Sequence, residues 1–229
     1  MDAFVGTSGW AYPWNETKKL DWFISNTGLN SIELNASFYR YPSPDTVKKW
    51  AQKATQLRWA IKANRLFTHT YKFNKASLEK WESFCKLFSP MQSVLDFYLF
   101  QLPPNTTPNS APAIEAFAEK IGIGNRFALE VRNSEWFRKE WTTWAEKLGI
   151  TLVSVDAPDL PRDIFCLDGV VYLRMHGRTA WYSQRYSAKE LQEVAVNIRK
   201  AKPKKAYVFF NNDTAMLENA QTMLQLLKS

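Results

Sequence analysis

A chain of 229 residues, 45% of them hydrophobic, can bury a sizeable core in one large domain or two small ones. Thirty basic against twenty-two acidic residues leave a formal charge of +8, which favours an anionic partner such as a phosphate or a nucleic acid, although net charge also serves solubility. Cys85 and Cys166 lie far apart and read as free thiols rather than a disulfide or metal pair, no run is long and apolar enough to span a bilayer, and MDAFVGTSGW lacks the features of a signal peptide, so a soluble cytoplasmic protein with no membrane contact is expected.

Short apolar runs alternate with helical spacing along the whole chain. The first strand is Phe4–Ser8, closed by Gly9 and Trp10, and a helix follows at about Thr17–Asn26. The second strand, Ser31–Leu34, runs into Asn35 and Phe38-Tyr39. Ser43-Pro44 then reads as N-cap and first helical position. The third strand is Trp59–Lys62, and Leu78, Trp81, Phe84, Cys85 and Phe88 mark the next helix. The fourth strand is Phe97–Leu102, followed by a helix over Ala113–Lys120. The fifth is Phe127–Arg132, with Ser134 expected to cap a helix through Trp141, Trp144 and Leu148. The sixth is Thr151–Val155, ending at Asp156 and followed by the Pro-rich APDLPRD. The seventh begins at Val170, and Ser187 with Glu190 forms a capping box before the next helix. Lys205–Phe210 is the eighth strand, and a last helix covers about Ala215–Leu227.

Strands alternating with helices predict an α/β fold with parallel strands. Eight such units without a linker predict a single-domain (β/α)8 TIM barrel spanning residues 1–229. The rival is an open doubly wound sheet, but GTSGW lacks the glycine spacing of a dinucleotide-binding turn.

In a barrel, functional groups collect at the carboxyl ends of the strands, and alternate residues of a strand share a face. This groups Ser31, Glu33 and Asn35; Ala60, Lys62 and Asn64; Leu99 and Gln101; Ala128, Glu130 and Arg132; Leu152, Ser154 and Asp156; and Tyr172, Arg174 and His176. Charged side chains lie towards the strand ends and small or apolar ones below them. One reading is a buried ionic layer in which Glu33, Glu130 and Asp156 pair with Lys62, Arg132 and Arg174. The other is a site combining acids, bases and amides. His69 and His176, the only histidines, both follow strand ends. Trp10, Tyr12, Trp14, Phe38, Tyr39, Trp136, Trp181, Tyr182 and Tyr186 fall in loops after strands, where they either cover the core or stack on a base or sugar.

The blocks GTSGW (6–10), IELNASFYRYPS (32–43), IKANRLFTH (61–69), LFQLPP (99–104), ALEVRNSEWF (128–137), YLRMHGR (172–178) and FFNND (209–213) occur in this order. Together they make the chain resemble, from end to end, the YecE-like family called domain of unknown function seventy-two. The resemblance implies a (β/α)8 barrel with a pocket and no established reaction.

The composition of the strand ends predicts an enzyme, a hydrolase or lyase, acting on a small phosphate- or carboxylate-bearing anion. Glu33, Glu130, Asp156 and His176 are the catalytic candidates, with Glu130 or Glu33 as base and His176 as acid or proton shuttle. Lys62, Arg132 and Arg174 would hold the anion, and Arg65, His69, Gln101, Asn211, Asn212, Asp213, Trp10 and Tyr39 complete the binding set. Lys62 as a Schiff-base nucleophile is a further option. Nucleic-acid binding or metal-dependent processing is the second reading. Glu33, His69, Glu130, Asp156, His176 and Asp213 would then be the metal ligands, yet no ligand spacing occurs and cations share the same strand ends, so no metal site is assigned and the cofactor stays open. A non-catalytic ligand-binding protein is the third reading. Nothing in the sequence sets the oligomeric state.

Overall fold

A computed structural model describes residues 1–213 and 215–228 in full and Thr214 through its backbone alone. The strands are β1 (Asp2–Thr7), β2 (Ser31–Leu34), β3 (Arg58–Lys62), β4 (Leu95–Gln101), β5 (Phe127–Glu130), β6 (Thr151–Leu152), β7 (Ser154–Asp156), β8 (Val170–Met175) and β9 (Lys205–Phe210). The α-helices are α1 (Leu20–Asn26), α2 (Pro44–Lys53), α3 (Lys75–Leu87), α4 (Ala111–Ile121), α5 (Lys139–Leu148), α6 (Ala188–Lys200) and α7 (Met216–Lys228). Among the described residues no helix is long and apolar enough to cross a membrane.

The strands form two parallel sheets, in the orders β1-β9-β8-β7 and β2-β3-β4-β5-β6. The α/β class with parallel strands is as the sequence predicts. The closed eight-stranded barrel is not: among the described residues the two sheets do not join into one. Two local causes are visible. Beside β1, the carboxamide of Asn30 donates to Ala3 O (2.8 Å) and accepts from Val5 N (2.9 Å), so a side chain takes the bonds that a strand ladder would use. Near Asp156, the predicted strand Thr151–Val155 breaks at Val153. Its first half pairs with β5 through Thr151 and Leu152, and its second half pairs with β8 through Ser154, Val155 and Asp156.

The chain divides into two compact units, Met1–Glu33 with Val153–Ser229, and Leu34–Leu152. In the Leu34–Leu152 unit, β3, β4 and β5 carry an aromatic core. Phe100 stacks on Phe127 at 4.2 Å and meets Phe67, Trp81 and Phe117 edge-on or tilted, while Phe84 packs on Phe67 and Trp81. Phe67 belongs to a π-helical turn, Leu66–Thr70, directly after β3. Its burial in the core fixes that turn, and so fixes where His69 sits.

The caps follow the sequence in most places. Ser43 Oγ accepts from Thr46 N with Pro44 behind it, and Ser187 with Glu190 makes the expected capping box on α6. The helix expected from Ser134 starts later. Ser134–Phe137 is a 3-10 turn capped by Asn133, Arg138 is extended, and α5 begins at Lys139. Trp136 accounts for the delay, because it is fully buried and its Nε1 donates to Thr106 O at 2.8 Å, which holds the chain in a turn.

In the other unit, β1 and β9 pair in parallel from Asp2–Lys205 to Thr7–Phe210, and β9 continues onto β8. Gly6 lies against the backbone of Ser31, and a Cβ at position 6 would overlap the Ser31 carbonyl. Gly28 has nothing within 4 Å of such a Cβ and differs only in its φ of +66°. Gly6→Ala is therefore expected to destabilise the protein by about 3 kcal/mol and Gly28→Ala by about 1 kcal/mol. Urea unfolding of the two variants checks this order, and equal costs would contradict the close approach.

Candidate functional site

The residues singled out by the sequence fall into two groups, one in each unit. In the Met1–Glu33 with Val153–Ser229 unit, β8 carries Tyr172 and Arg174 at alternate positions that share a face, and His176 directly follows the strand. Arg174 and Glu33 are both fully buried. Glu33 accepts from Arg174 Nε at 3.0 and 3.1 Å, from Arg174 Nη2 at 2.7 Å and from Tyr172 Oη at 2.6 Å. Three donor atoms, two of them on the guanidinium, fix this carboxylate in place, which suits an anchor. Its partner Arg174 is one of the three cations that the ionic-layer reading of the sequence names.

His176 is fully buried beside this pair. Its Nε2 is 3.3 Å from Arg174 Nη1 and its Nδ1 is 3.4 Å from the Asn211 carboxamide. A guanidinium only donates, so Nε2 accepts and the neutral ring carries its proton on Nδ1. The Asn211 group facing Nδ1 must then be its oxygen, which turns the amide nitrogen towards Ser8 Oγ, 2.7 Å from the far end of that carboxamide. Ser8 Oγ completes the chain by donating to Phe210 O at 3.0 Å. Both nitrogens of His176 are thus engaged within the protein.

Asp156 plays a comparable holding role in the same unit. It accepts from Arg178 Nε (3.0 and 3.3 Å) and from Tyr186 Oη (3.0 Å), and Tyr186 Oη in turn accepts from Gly177 N at 2.7 Å. Burial pushes the Asp156 carboxyl above its ordinary range, against the pull of the Arg178 charge and the two hydrogen bonds. Arg178 also reaches Glu193 at 3.0 Å. Asn212 is buried and donates to Gln184 O (2.7 Å) and Asn219 Oδ1 (2.8 Å). Asp213 is exposed with a left-handed φ of 52°, and Trp10 is half-buried. Ser8, Arg178 and Gln184 were not among the sequence candidates for catalysis or binding. Tyr172 was grouped with Arg174 by parity, and Tyr186 was expected only as a loop aromatic that covers the core or stacks on a ligand. Nothing in one sequence gives the partners of these side chains, which come from other strands and loops.

The Leu34–Leu152 unit holds a different balance. Lys62 ends β3, and Arg65 and His69 follow in the π-helical turn region. Glu130 ends β5 fully buried, and Arg132 Nε donates to its Oε1 at 2.8 Å. Lys62 Nζ sits 4.2 Å from the centroid of the Phe38 ring, a cation–π contact, and His69 meets the same ring edge-on at 5.3 Å. His69 Nδ1 is 2.8 Å from Thr68 Oγ1. Burial lowers the imidazole below its ordinary value, and the charges of Arg65, Lys62 and Arg132 lower it further. Gln101, at the end of β4, is buried with its Nε2 donating to Leu102 O at 2.7 Å. Asn64 shapes the turn by donating to Ser37 O (2.9 Å) and accepting from Leu66 N (3.1 Å). Tyr39 stands out from the surface.

Among the described residues, no group of three or more His, Cys, Asp or Glu side chains is placed to hold a metal ion. Glu33, Glu130 and Asp156 each lie beside an arginine.

The buried Glu33–Arg174 pair gives a direct test of anchoring against catalysis. Glu33→Gln leaves a buried guanidinium short of its counter-charge and is expected to cost about 3–5 kcal/mol in urea unfolding. A change below about 0.5 kcal/mol would mean that Glu33 is not the anchor.

Comparison with known proteins agrees with the sequence blocks. The family described as Protein of unknown function DUF72 matches residues 4–229. The UPF0759 protein YecE of Escherichia coli, in strains K12 and O157:H7, is 24% identical over 142 residues, which cover 59% of this chain and 50% of the relative. The matched region thus spans half the length of these curated relatives. A crystal structure of a DUF72 family protein from Thermotoga maritima MSB8 is 27% identical with a TM-score of 0.86 over 100% of both chains. One from Enterococcus faecalis V583 is 18% identical and shares the fold with a TM-score of 0.86, over 99% of this chain and 96% of that one. The match from residue 4 to residue 229 places the chain in the DUF72 family.

Proposed function

We propose that the chain binds a small phosphate- or carboxylate-bearing anion in the Leu34–Leu152 unit and carries out acid–base chemistry on it, of the hydrolase or lyase kind. The observation that carries this reading is the positive field at His69, where Arg65, Lys62 and Arg132 all act on one half-buried imidazole. Three cations acting on one imidazole favour a ligand that brings negative charge. Arg132 offers a fork suited to two oxygens, Lys62 a point charge and Gln101 a polar contact. Glu130 is the base in this proposal, because it is the acid that shares a unit with Lys62, Arg132 and His69, whereas Glu33 and Asp156 are committed to holding an arginine and a tyrosine in the other unit. The same commitment argues against His176 as proton shuttle.

His69 supplies a pH test. In the folded chain its proton affinity lies below that of an unfolded imidazole, whose pKa is 6.5. The contribution of this group to stability is therefore complete above pH 6.5 and is lost as pH falls from there through the folded value, since the unfolded chain then binds the extra proton. A bound anion offsets the neighbouring cations and must raise the His69 pKa. Adding inorganic phosphate is expected to move the His69 titration upward in an NMR experiment. Arg65→Ala, at an exposed position, is expected to weaken phosphate binding about tenfold with little change in stability. An unmoved His69 titration at saturating phosphate would overturn the anion site.

A further inference from the structure

The chemical class of the anion can be narrowed, on the assumption that the anion site just proposed is real. Among the described residues the exposed large hydrophobic side chains are Met1, Tyr39 and Val196, and Tyr39, at 75% exposure, is the aromatic one. An exposed ring of this size is ordinary when it stands alone. Tyr39 does not stand alone. Its ring rests edge-to-face on Phe38, with centroids 5.0 Å apart and planes at 87°. Phe38 is the same ring that carries Lys62 on its face and His69 at its edge. Phe38 is itself buried, so it is a fixed mount rather than a mobile neighbour. A flat, solvent-facing aromatic surface is therefore held one ring away from the cationic cluster. The 3-10 turn Ala36–Phe38 supports this mount, and Ser37 ties the turn to β3 by donating from Oγ to Lys62 O at 2.7 Å.

We infer that the anion carries a planar heteroaromatic ring and that the ligand class is a nucleoside monophosphate, with its phosphate on Lys62, Arg65 and Arg132 and its base stacked on Tyr39. Stacking on an aromatic side chain tolerates any base, because every base has a π face. The charge and the flat ring recognise separate parts of the ligand, so removing one leaves the other measurable.

The test is calorimetric titration of the full chain with inorganic phosphate, ribose phosphate, adenosine monophosphate and adenosine, repeated with Tyr39→Ala and Tyr39→Phe. Adenosine monophosphate is expected to bind at least about tenfold more tightly than ribose phosphate. That advantage should disappear in Tyr39→Ala and persist in Tyr39→Phe, with inorganic phosphate binding equally to all three proteins. Equal affinity for adenosine monophosphate and ribose phosphate would overturn the ring assignment and leave the anion site standing. So would an advantage that survives Tyr39→Ala. Absence of binding by every phosphate-bearing probe would overturn the anion site and the ring assignment together. Tyr39 is exposed, so unfolding midpoints within error of the parent chain are expected and confirm that the variants report binding.

Discussion

A guanidinium shut away from water must be matched by a negative charge, and in this chain Glu33 matches Arg174. The constraint reaches well beyond the pair. Tyr172 is held because Glu33 needs another donor, and His176 is neutral because it lies against a cation that already has its counter-charge. Asn211 and Ser8 are oriented in turn by the proton that His176 must keep on Nδ1. Asp156, Arg178 and Tyr186 repeat the pattern, fixing the loop that begins at Gly177. Polar groups in the Met1–Glu33 with Val153–Ser229 unit thus hold one another in place.

The Leu34–Leu152 unit inverts that balance. Its strand ends collect three cations around one buried acid and one imidazole, with an aromatic ring as the shared support. Such a cluster costs free energy while its cations repel one another, and a bound anion relieves that cost. The three cations that act on His69 are the physical reason for proposing ligand binding in this unit and support in the buried network of the other.

Much of the secondary structure was legible in the sequence, because apolar runs and caps are local signals. Ser31–Leu34 and Lys205–Phe210 match the expected strands residue for residue, and Ser43, Ser187 and Glu190 cap as their types predict. The closed barrel was not. Whether neighbouring strands complete a ladder depends on non-local pairing, and neither the intrusion of the Asn30 side chain nor the break at Val153 leaves a mark in local composition. Parity named Glu33, Arg174 and His176 as one face but could not say that Glu33 would be consumed by Arg174. It missed Arg178 and Gln184, whose partners lie many residues away or in a loop. Tyr39 was legible only as an aromatic after a strand, and its exposure beside Phe38 and Lys62 required coordinates.

The claim that the Leu34–Leu152 unit is built to take an anion is tested most directly by a crystal soaked in tungstate, a heavy oxyanion located by its anomalous scattering. One tungstate within hydrogen-bonding reach of Lys62 and Arg132 is the predicted result. Tungstate found elsewhere on the surface, with Lys62 and Arg132 left without it, would contradict the claim.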